Sequence, residues 1–140
     1  MIKQQIKKIL VPLDGSKNSL RGLEKAIYLA KEHKASLAFI HVVHHIPKSE
    51  GKIIREIGIT SDEPTFLLTA RMLAKKNGIP SSDRVVTGDP GHAILDYSNT
   101  HNVDLIVIGA RGLGTYKKIF LGSVSSYVIQ KAKTAVMIIK

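Results

Sequence analysis

Short apolar runs alternate with amphipathic segments along this chain. The run at 9–13 predicts a strand buried on both faces, and an Asp-Gly-Ser turn closes it. Apolar residues then recur every three or four positions, which predicts a helix over roughly 17–33 with Ser16 as its N-cap. The next apolar run predicts a second strand over 36–43.

The same alternation continues after residue 61. The segment 44–61 shows no clear period, and it is interpreted as a variable loop or a loose helical turn. The further predicted elements are a helix over about 66–74 that Asn77-Gly78 stops, a strand over 84–87, a helix capped by Asp89 and opened by Pro90, a strand over 104–109, a helix from Ser123 and a strand over 135–139. Strict alternation predicts an α/β fold, with one open parallel sheet covered by helices on both faces.

Composition limits the class of protein. A chain of 140 residues matches one domain. It contains no cysteine, which excludes disulfides, thiolate nucleophiles and cysteine-based metal sites. Neither a signal-peptide pattern nor an apolar run of the ~20 residues that span a bilayer is present, so we expect a soluble, cytoplasmic protein without membrane contact.

The net charge of +10 raises the question of an anionic partner. Lysines fall near the ends of predicted helices, where cations complement the helix dipole: Lys31, Lys34, Lys75, Lys76, Lys131 and Lys133. Aromatic residues make up only 5% of the chain, and none interrupts a basic run. This pattern favours a solvated basic surface over a nucleic-acid partner. A basic nucleic-acid-binding module is kept as an alternative hypothesis.

A glycine-rich loop of thirteen residues, 110–122, carries the strongest functional signal. Glycines allow backbone N–H groups to converge and a ligand to approach closely. Gly122-Ser123 then leads into a helix whose free N–H groups favour phosphate. Positive charge on the loop comes from Arg111, Lys117 and Lys118. These features predict phosphate binding, and the alternative is a plain glycine-rich turn with a capping serine.

The spacing Gly109-x2-Gly112-x9-Gly122-Ser123 resembles the ATP-binding signature of the universal stress protein family. Residues 9–16, 37–42 and 88–90 and the last strand also resemble parts of that family. The resemblance covers nearly the whole chain except 44–61. It implies a Rossmann-like sheet of five strands in the order 3-2-1-4-5, with the ligand at the switch point between strands one and four.

The resemblance also implies a ligand and a set of contacts. Pro12, Leu13, Asp14 and Val42 would contact the adenine and ribose, while Gly109, Gly112, Gly122 and Ser123 would hold the phosphates, with Arg111 and Val124 beside them. The expected ligand is ATP, ADP or AMP, bound with Mg²⁺ or Mn²⁺. The implied function is that of a homodimeric, nucleotide-dependent sensor or modulator in the stress response, paired through 135–139. An Asp in this position is also a common turn former.

Other chemistry is expected to be absent. His41, His44 and His45 cluster, but on a strand His41 and His44 would point to opposite faces, so we expect no zinc site. His92 and Asp96 are predicted to form an ordinary helical pair, and Ser98 lacks a nucleophile elbow. No dedicated catalytic group is evident. A slow ATPase or phosphotransferase, using Asp14 or Arg111, is the alternative to binding alone.

Overall fold

The computed structural model describes residues 5–44, 63–112 and 121–140. Within them the elements are β1 (Lys8–Pro12), α1 (Lys17–His33), β2 (Ser36–Val43), α2 (Thr65–Lys76), β3 (Ser81–Thr87), α3 (Pro90–Thr100), β4 (Leu105–Gly109), α4 (Ser123–Lys131) and β5 (Ala135–Ile139). Most of the predicted variable segment, 45–61, lies outside the described residues, and so does 113–120 of the glycine-rich loop, with Lys117 and Lys118. No helix in the described ranges is long and apolar enough to cross a membrane.

The five strands form one parallel sheet in the order β3-β2-β1-β4-β5, which confirms the predicted fold. β1 pairs with β2 on one side and with β4 on the other, so the strand order reverses at β1. Two apolar clusters lie on opposite faces. One joins the sheet to α1 and α2 around Phe39, and the other joins it to α3 and α4 around Ile40.

Local capping explains where two of the helices begin. The Ser16 hydroxyl accepts a hydrogen bond from the Ser19 N–H at 3.2 Å, and Asp89 Oδ2 accepts one from the His92 N–H at 3.0 Å. Both N-caps agree with the sequence prediction. α1 ends at Lys34, which adopts a left-handed conformation with φ of 54°.

The third strand is longer than predicted. It begins at Ser81 rather than Arg84, because Ser81–Asp83 pair with Leu37–Phe39 of β2. As an edge strand that is exposed along most of its length, β3 has no apolar pattern there from which its start can be predicted.

Arg71 of α2 ties this edge strand to the rest of the domain. Its guanidinium pairs with Glu63 and, at 2.9 Å, with Asp83 Oδ2 on β3. The hydrogen bond from Arg71 holds the pKa of Glu63 below its ordinary value, although desolvation opposes the shift. The same hydrogen bond raises the pKa of Arg71.

Arg71→Gln is expected to lower the melting temperature slightly at neutral pH and not at all in acid. A depressed Glu63 pKa stabilises the folded state above its ordinary value of 4.5, and this contribution is lost as the pH falls through the folded-state pKa. Thermal unfolding at about pH 7 and about pH 2 measures the difference. Lys76→Gln, which removes the same charge from the same helix, is the control. An Arg71→Gln effect of equal size at both pH values would contradict the prediction.

Candidate functional site

A cavity of about 460 Å³ opens at the carboxyl ends of β1, β2 and β4. The N-terminal turns of α1, α3 and α4 complete its wall. All ten residues predicted to bind nucleotide line this one cavity: Pro12, Leu13, Asp14, Val42, Gly109, Arg111, Gly112, Gly122, Ser123 and Val124. The fold therefore brings together groups that are more than a hundred positions apart in the chain.

The cavity has an apolar side and a polar side. Its apolar lining comes mainly from the strand ends and α3: Pro12, Leu13, Ile40, Val42, Pro90, Ile94 and Ile108. Its polar lining comes from the turn after β1, the glycine loop and the first turns of α1 and α4. Such a division suits a ligand with one flat apolar part and one charged part.

The Asp14 side chain stabilises the turn after β1 and also lines the cavity. Its Oδ1 accepts a hydrogen bond from the Ser16 N–H at 2.8 Å, as expected of a turn former. Its Oδ2 lies beside Gly112, where an added Cβ would come within 2.5 Å of it. The two ends of the polar side, the turn after β1 and the glycine loop, are thus in direct contact.

The carbonyl oxygen of Ala110, the first residue of the glycine loop, connects that end of the loop to the start of α4. It accepts hydrogen bonds from the Gly122 N–H and from the Ser125 hydroxyl, both at 2.7 Å. Ser125 is 2% exposed and also bonds to the Gly122 carbonyl. Ser125 could not be identified from the sequence, since nothing in the hydrophobic pattern shows that its hydroxyl reaches back to the loop.

Gly122, not a serine, is the N-cap of α4, and no side chain in the described ranges caps this helix. The capping role that the plain-turn alternative gives to the serine is therefore wrong, because Ser123 is already the first residue of the helix. The N–H groups of the first turn of α4 adjoin the cavity. Uncapped N–H groups at the positive end of a helix dipole are a suitable environment for an anion.

His41 and His44 both line the cavity, although the strand pattern predicts opposite faces. β2 ends at Val43, so the alternation of a strand does not extend to His44. His41 Nδ1 lies 2.8 Å from the Leu13 carbonyl oxygen, which fixes its ring, and the ring packs edge-on against Phe66. Among the described residues, no group of three His, Cys, Asp or Glu side chains could hold a metal ion. His45 lies outside them.

His92 pairs with Asp89 and Tyr127, whereas the sequence predicted a pair with Asp96. Its Nδ1 lies 2.7 Å from Asp89 Oδ2, and its Nε2 lies 3.0 Å from the Tyr127 hydroxyl on α4. Asp89 is the N-cap three positions earlier, where its carboxylate reaches both the backbone and the ring of His92. These contacts lower the pKa of Asp89, the backbone hydrogen bond most strongly. Ser98 is buried against the Thr134 hydroxyl at 3.0 Å, away from both.

The comparisons with known proteins agree with this geometry. The sequence profile of the universal stress protein family matches residues 5–140. Universal stress protein YxiE of Bacillus subtilis is 32% identical over 146 residues, and the match covers 95% of this chain and 98% of that protein. The structure of a universal stress protein from Lactobacillus plantarum has a TM-score of 0.84 at 26% identity, covering 99% of this chain and 100% of that one.

A further solved structure is that of a universal stress protein in complex with cAMP. It has a TM-score of 0.72 at 28% identity, with coverage of 97% of this chain and 98% of that one. The solved structures share the fold described above, and the family profile covers nearly the whole chain. This chain belongs to the universal stress protein family.

Proposed function

We propose that this protein binds an adenine nucleotide in the cavity and acts in the cytoplasm as a homodimeric, nucleotide-dependent sensor or modulator. The observation that carries the proposal is the convergence of all ten predicted residues on one cavity at the switch point of the sheet. A related protein of the same family has been solved with cAMP, and that ligand contains adenine, ribose and a phosphate group.

The two sides of the cavity favour one orientation of the nucleotide. The adenine ring would lie against the apolar side, near Pro12 and Val42. The phosphate groups would lie at the glycine loop and the uncapped start of α4. The ribose would then be placed between them, within reach of Asp14.

When the ligand is ATP, the position of Asp14 leads us to propose that a divalent cation binds with it. Its carboxylate touches the glycine loop, where the phosphates are placed, and two negative groups at that distance repel each other. A Mg²⁺ or Mn²⁺ ion on the phosphates would turn this repulsion into attraction. AMP and cAMP, with fewer charges, depend less on the cation.

Isothermal titration calorimetry with ATP, AMP and cAMP, each with and without Mg²⁺, tests the ligand class. We expect binding of all three adenine nucleotides, and we expect Mg²⁺ to strengthen ATP binding more than AMP binding. GTP at equal concentration is the control for the base. Equal affinity for GTP and ATP, or no heat with any adenine nucleotide, would contradict the proposal.

We propose that the site binds ATP without hydrolysing it efficiently. Phosphoryl transfer needs a base or group that orients water, together with a dedicated arrangement of metal ligands. In the cavity, Asp14 is already hydrogen-bonded in its turn through Oδ1. We expect steady-state phosphate release from ATP to be no faster than in the Gly112→Val variant, and clearly faster release would support the ATPase alternative.

The proposed homodimer pairs through β5, which lies at one edge of the sheet. The Ile139 carbonyl accepts a hydrogen bond from the Ala110 N–H, so the backbone groups of Ile139 face β4. Because backbone groups alternate in direction along a strand, those of Val136 and Ile138 face the open edge. An unprotected edge strand with apolar side chains is a site at which a second chain can pair.

Val136→Pro is expected to convert a dimer into a monomer, because it removes an outward-facing N–H and leaves the hydrogen bonds to β4 in place. Val136→Ala keeps that N–H while losing most of the side chain, so we expect it to remain a dimer. Size-exclusion chromatography with light scattering measures the mass of each. A parent protein of monomer mass, or a Val136→Pro variant that dimerises as well as Val136→Ala, would contradict the proposed interface.

A further inference from the structure

Two cationic side chains lie over the ring of Tyr97, which is one turn of α3 beyond Ile94 in the cavity wall. Lys8 Nζ lies 5.5 Å from the centroid of this ring, and Arg84 Cζ lies 5.4 Å from it. Lys8 is the first residue of β1, whereas the cavity adjoins the carboxyl end of that strand. The two groups come from β1 and β3, on either side of β2, and both reach the ring that α3 carries.

Neighbouring side chains hold the Tyr97 ring in place beneath these cations. It is 8% exposed and packs in the apolar cluster between the sheet and α3. The His101 ring stacks on it at a centroid distance of 3.9 Å and an angle of 3°. His101 is itself held by its Nδ1, which lies 2.8 Å from the Thr100 hydroxyl oxygen.

The carboxylates near these cations are engaged elsewhere. Asp83, next to Arg84, pairs with Arg71, and Asp104 accepts hydrogen bonds from the backbone N–H groups of Lys7 and Lys8. Neither Lys8 nor Arg84 forms an ion pair with a carboxylate in the described part of the chain. Two like charges therefore lie over one ring.

We propose that Lys8 and Arg84, supported by Tyr97, form a second anion site, which binds the phosphate groups of a small multivalent oxyanion. Contact with the ring face stabilises each cation only weakly, and the mutual repulsion of the two cations opposes it. An oxyanion would satisfy both: the guanidinium fork binds two oxygen atoms, and the ammonium group binds as a point charge.

The burial of Tyr97 favours a small phosphate compound over a single-stranded nucleic acid. Proteins that bind single strands stack the bases on accessible aromatic rings. The Tyr97 ring is stacked on by His101, overlain by the two cations and otherwise packed in the apolar cluster, so it offers no accessible face to a base. The site therefore fits pyrophosphate or a similar charged group, independently of the nucleotide proposed for the cavity.

Titration of the full-length protein with pyrophosphate, followed by the NMR signals of the His101 ring and the Tyr97 amide, tests the site. Gly112→Val protein is titrated in parallel, so that binding at the glycine loop cannot produce the signal. We expect these resonances to shift in both proteins. Arg84→Gln and Lys8→Gln should each weaken the affinity about tenfold, the loss expected for one charge-assisted hydrogen bond.

Lys25→Gln is the matched control. Lys25 Nζ lies 5.8 Å from the ring centroid of Tyr28, where it is the one cation among the described residues, and Tyr28 is 58% exposed. This variant loses the same charge and the same kind of contact, yet should bind pyrophosphate as the parent does. Arg84→Lys, which keeps the charge and loses the fork, should be intermediate, and circular dichroism confirms that each variant is folded.

Three results would overturn the proposal. The His101 and Tyr97 signals could stay unchanged at saturating pyrophosphate, or Lys25→Gln could weaken binding as much as Arg84→Gln does. A single-stranded oligonucleotide could instead shift the same signals more tightly than pyrophosphate, with a steep dependence on salt, which would assign the surface to nucleic acid.

Discussion

Gly109→Ala is expected to destabilise the domain by about 1–3 kcal/mol, the usual cost of overpacking a tight interior. Gly109 ends β4 directly against the first turn of α1. An added Cβ would come within 2.8 Å of the Asn18 carbonyl carbon and 2.9 Å of the Ser19 backbone nitrogen. These are backbone atoms, so a helix must move before the methyl group fits. Chemical denaturation of the parent and the variant measures the loss.

Gly22→Ala is the matched control, since Gly22 faces Gly109 from the other side of the same contact. There the nearest atom to an added Cβ is the Gly109 backbone nitrogen, at 3.8 Å, which is ordinary contact. Because alanine is also the better helix former, we expect this variant to be neutral or stabilised by up to about 1 kcal/mol. If Gly109→Ala proved as stable as Gly22→Ala, the result would contradict the tight packing of β4 against α1.

Gly112→Val is expected to weaken nucleotide binding about ten- to hundred-fold while the domain remains folded. Gly112 is exposed at the cavity, and a Cβ there would come within 2.5 Å of Asp14 Oδ2. The carboxylate is the far end of a side chain and can move, so the fold tolerates the change. The valine then fills the space in which the phosphates are placed. Calorimetric titration with ATP and Mg²⁺ measures the affinity.

Gly78→Ala separates loss of the site from general destabilisation. Gly78 follows α2, has a φ of +67°, and would have no atom within 4 Å of an added Cβ. Alanine there strains the backbone without touching the cavity, so the variant should be less stable yet bind nucleotide normally. Equal affinity of Gly112→Val and the parent would remove the glycine loop from the proposed site.

The fold could be predicted closely where the hydrophobic pattern is strong. The bounds of α1, β2 and β5 agree with the pattern to the residue, since each has a regular apolar period and a clear stop. Ser81–Asp83 of β3 could not be predicted, because these polar residues join the sheet only through their pairing with β2. The glycine spacing and the family resemblance together indicated the ten cavity residues. Their role in binding remains a prediction.

Contacts between distant elements account for what the sequence did not reveal. Spacing alone pairs His92 with Asp96, but the capping carboxylate of Asp89 and the hydroxyl of Tyr127 on another helix compete for the ring. His41 is oriented at the cavity by the carbonyl of Leu13, the residue directly after β1. The cations on Tyr97 come from β1 and β3, which are separated along the chain and brought together only by the strand order.

The central claim, that the cavity holds an adenine nucleotide, is tested most directly by denaturing the purified protein and identifying the released small molecules by chromatography and mass spectrometry. A Gly112→Val preparation is treated identically. We predict an adenine nucleotide in the parent and little or none in the variant. A parent that releases none and gives no heat when titrated with ATP, AMP or cAMP and Mg²⁺ would contradict the account, as would equal release from both proteins.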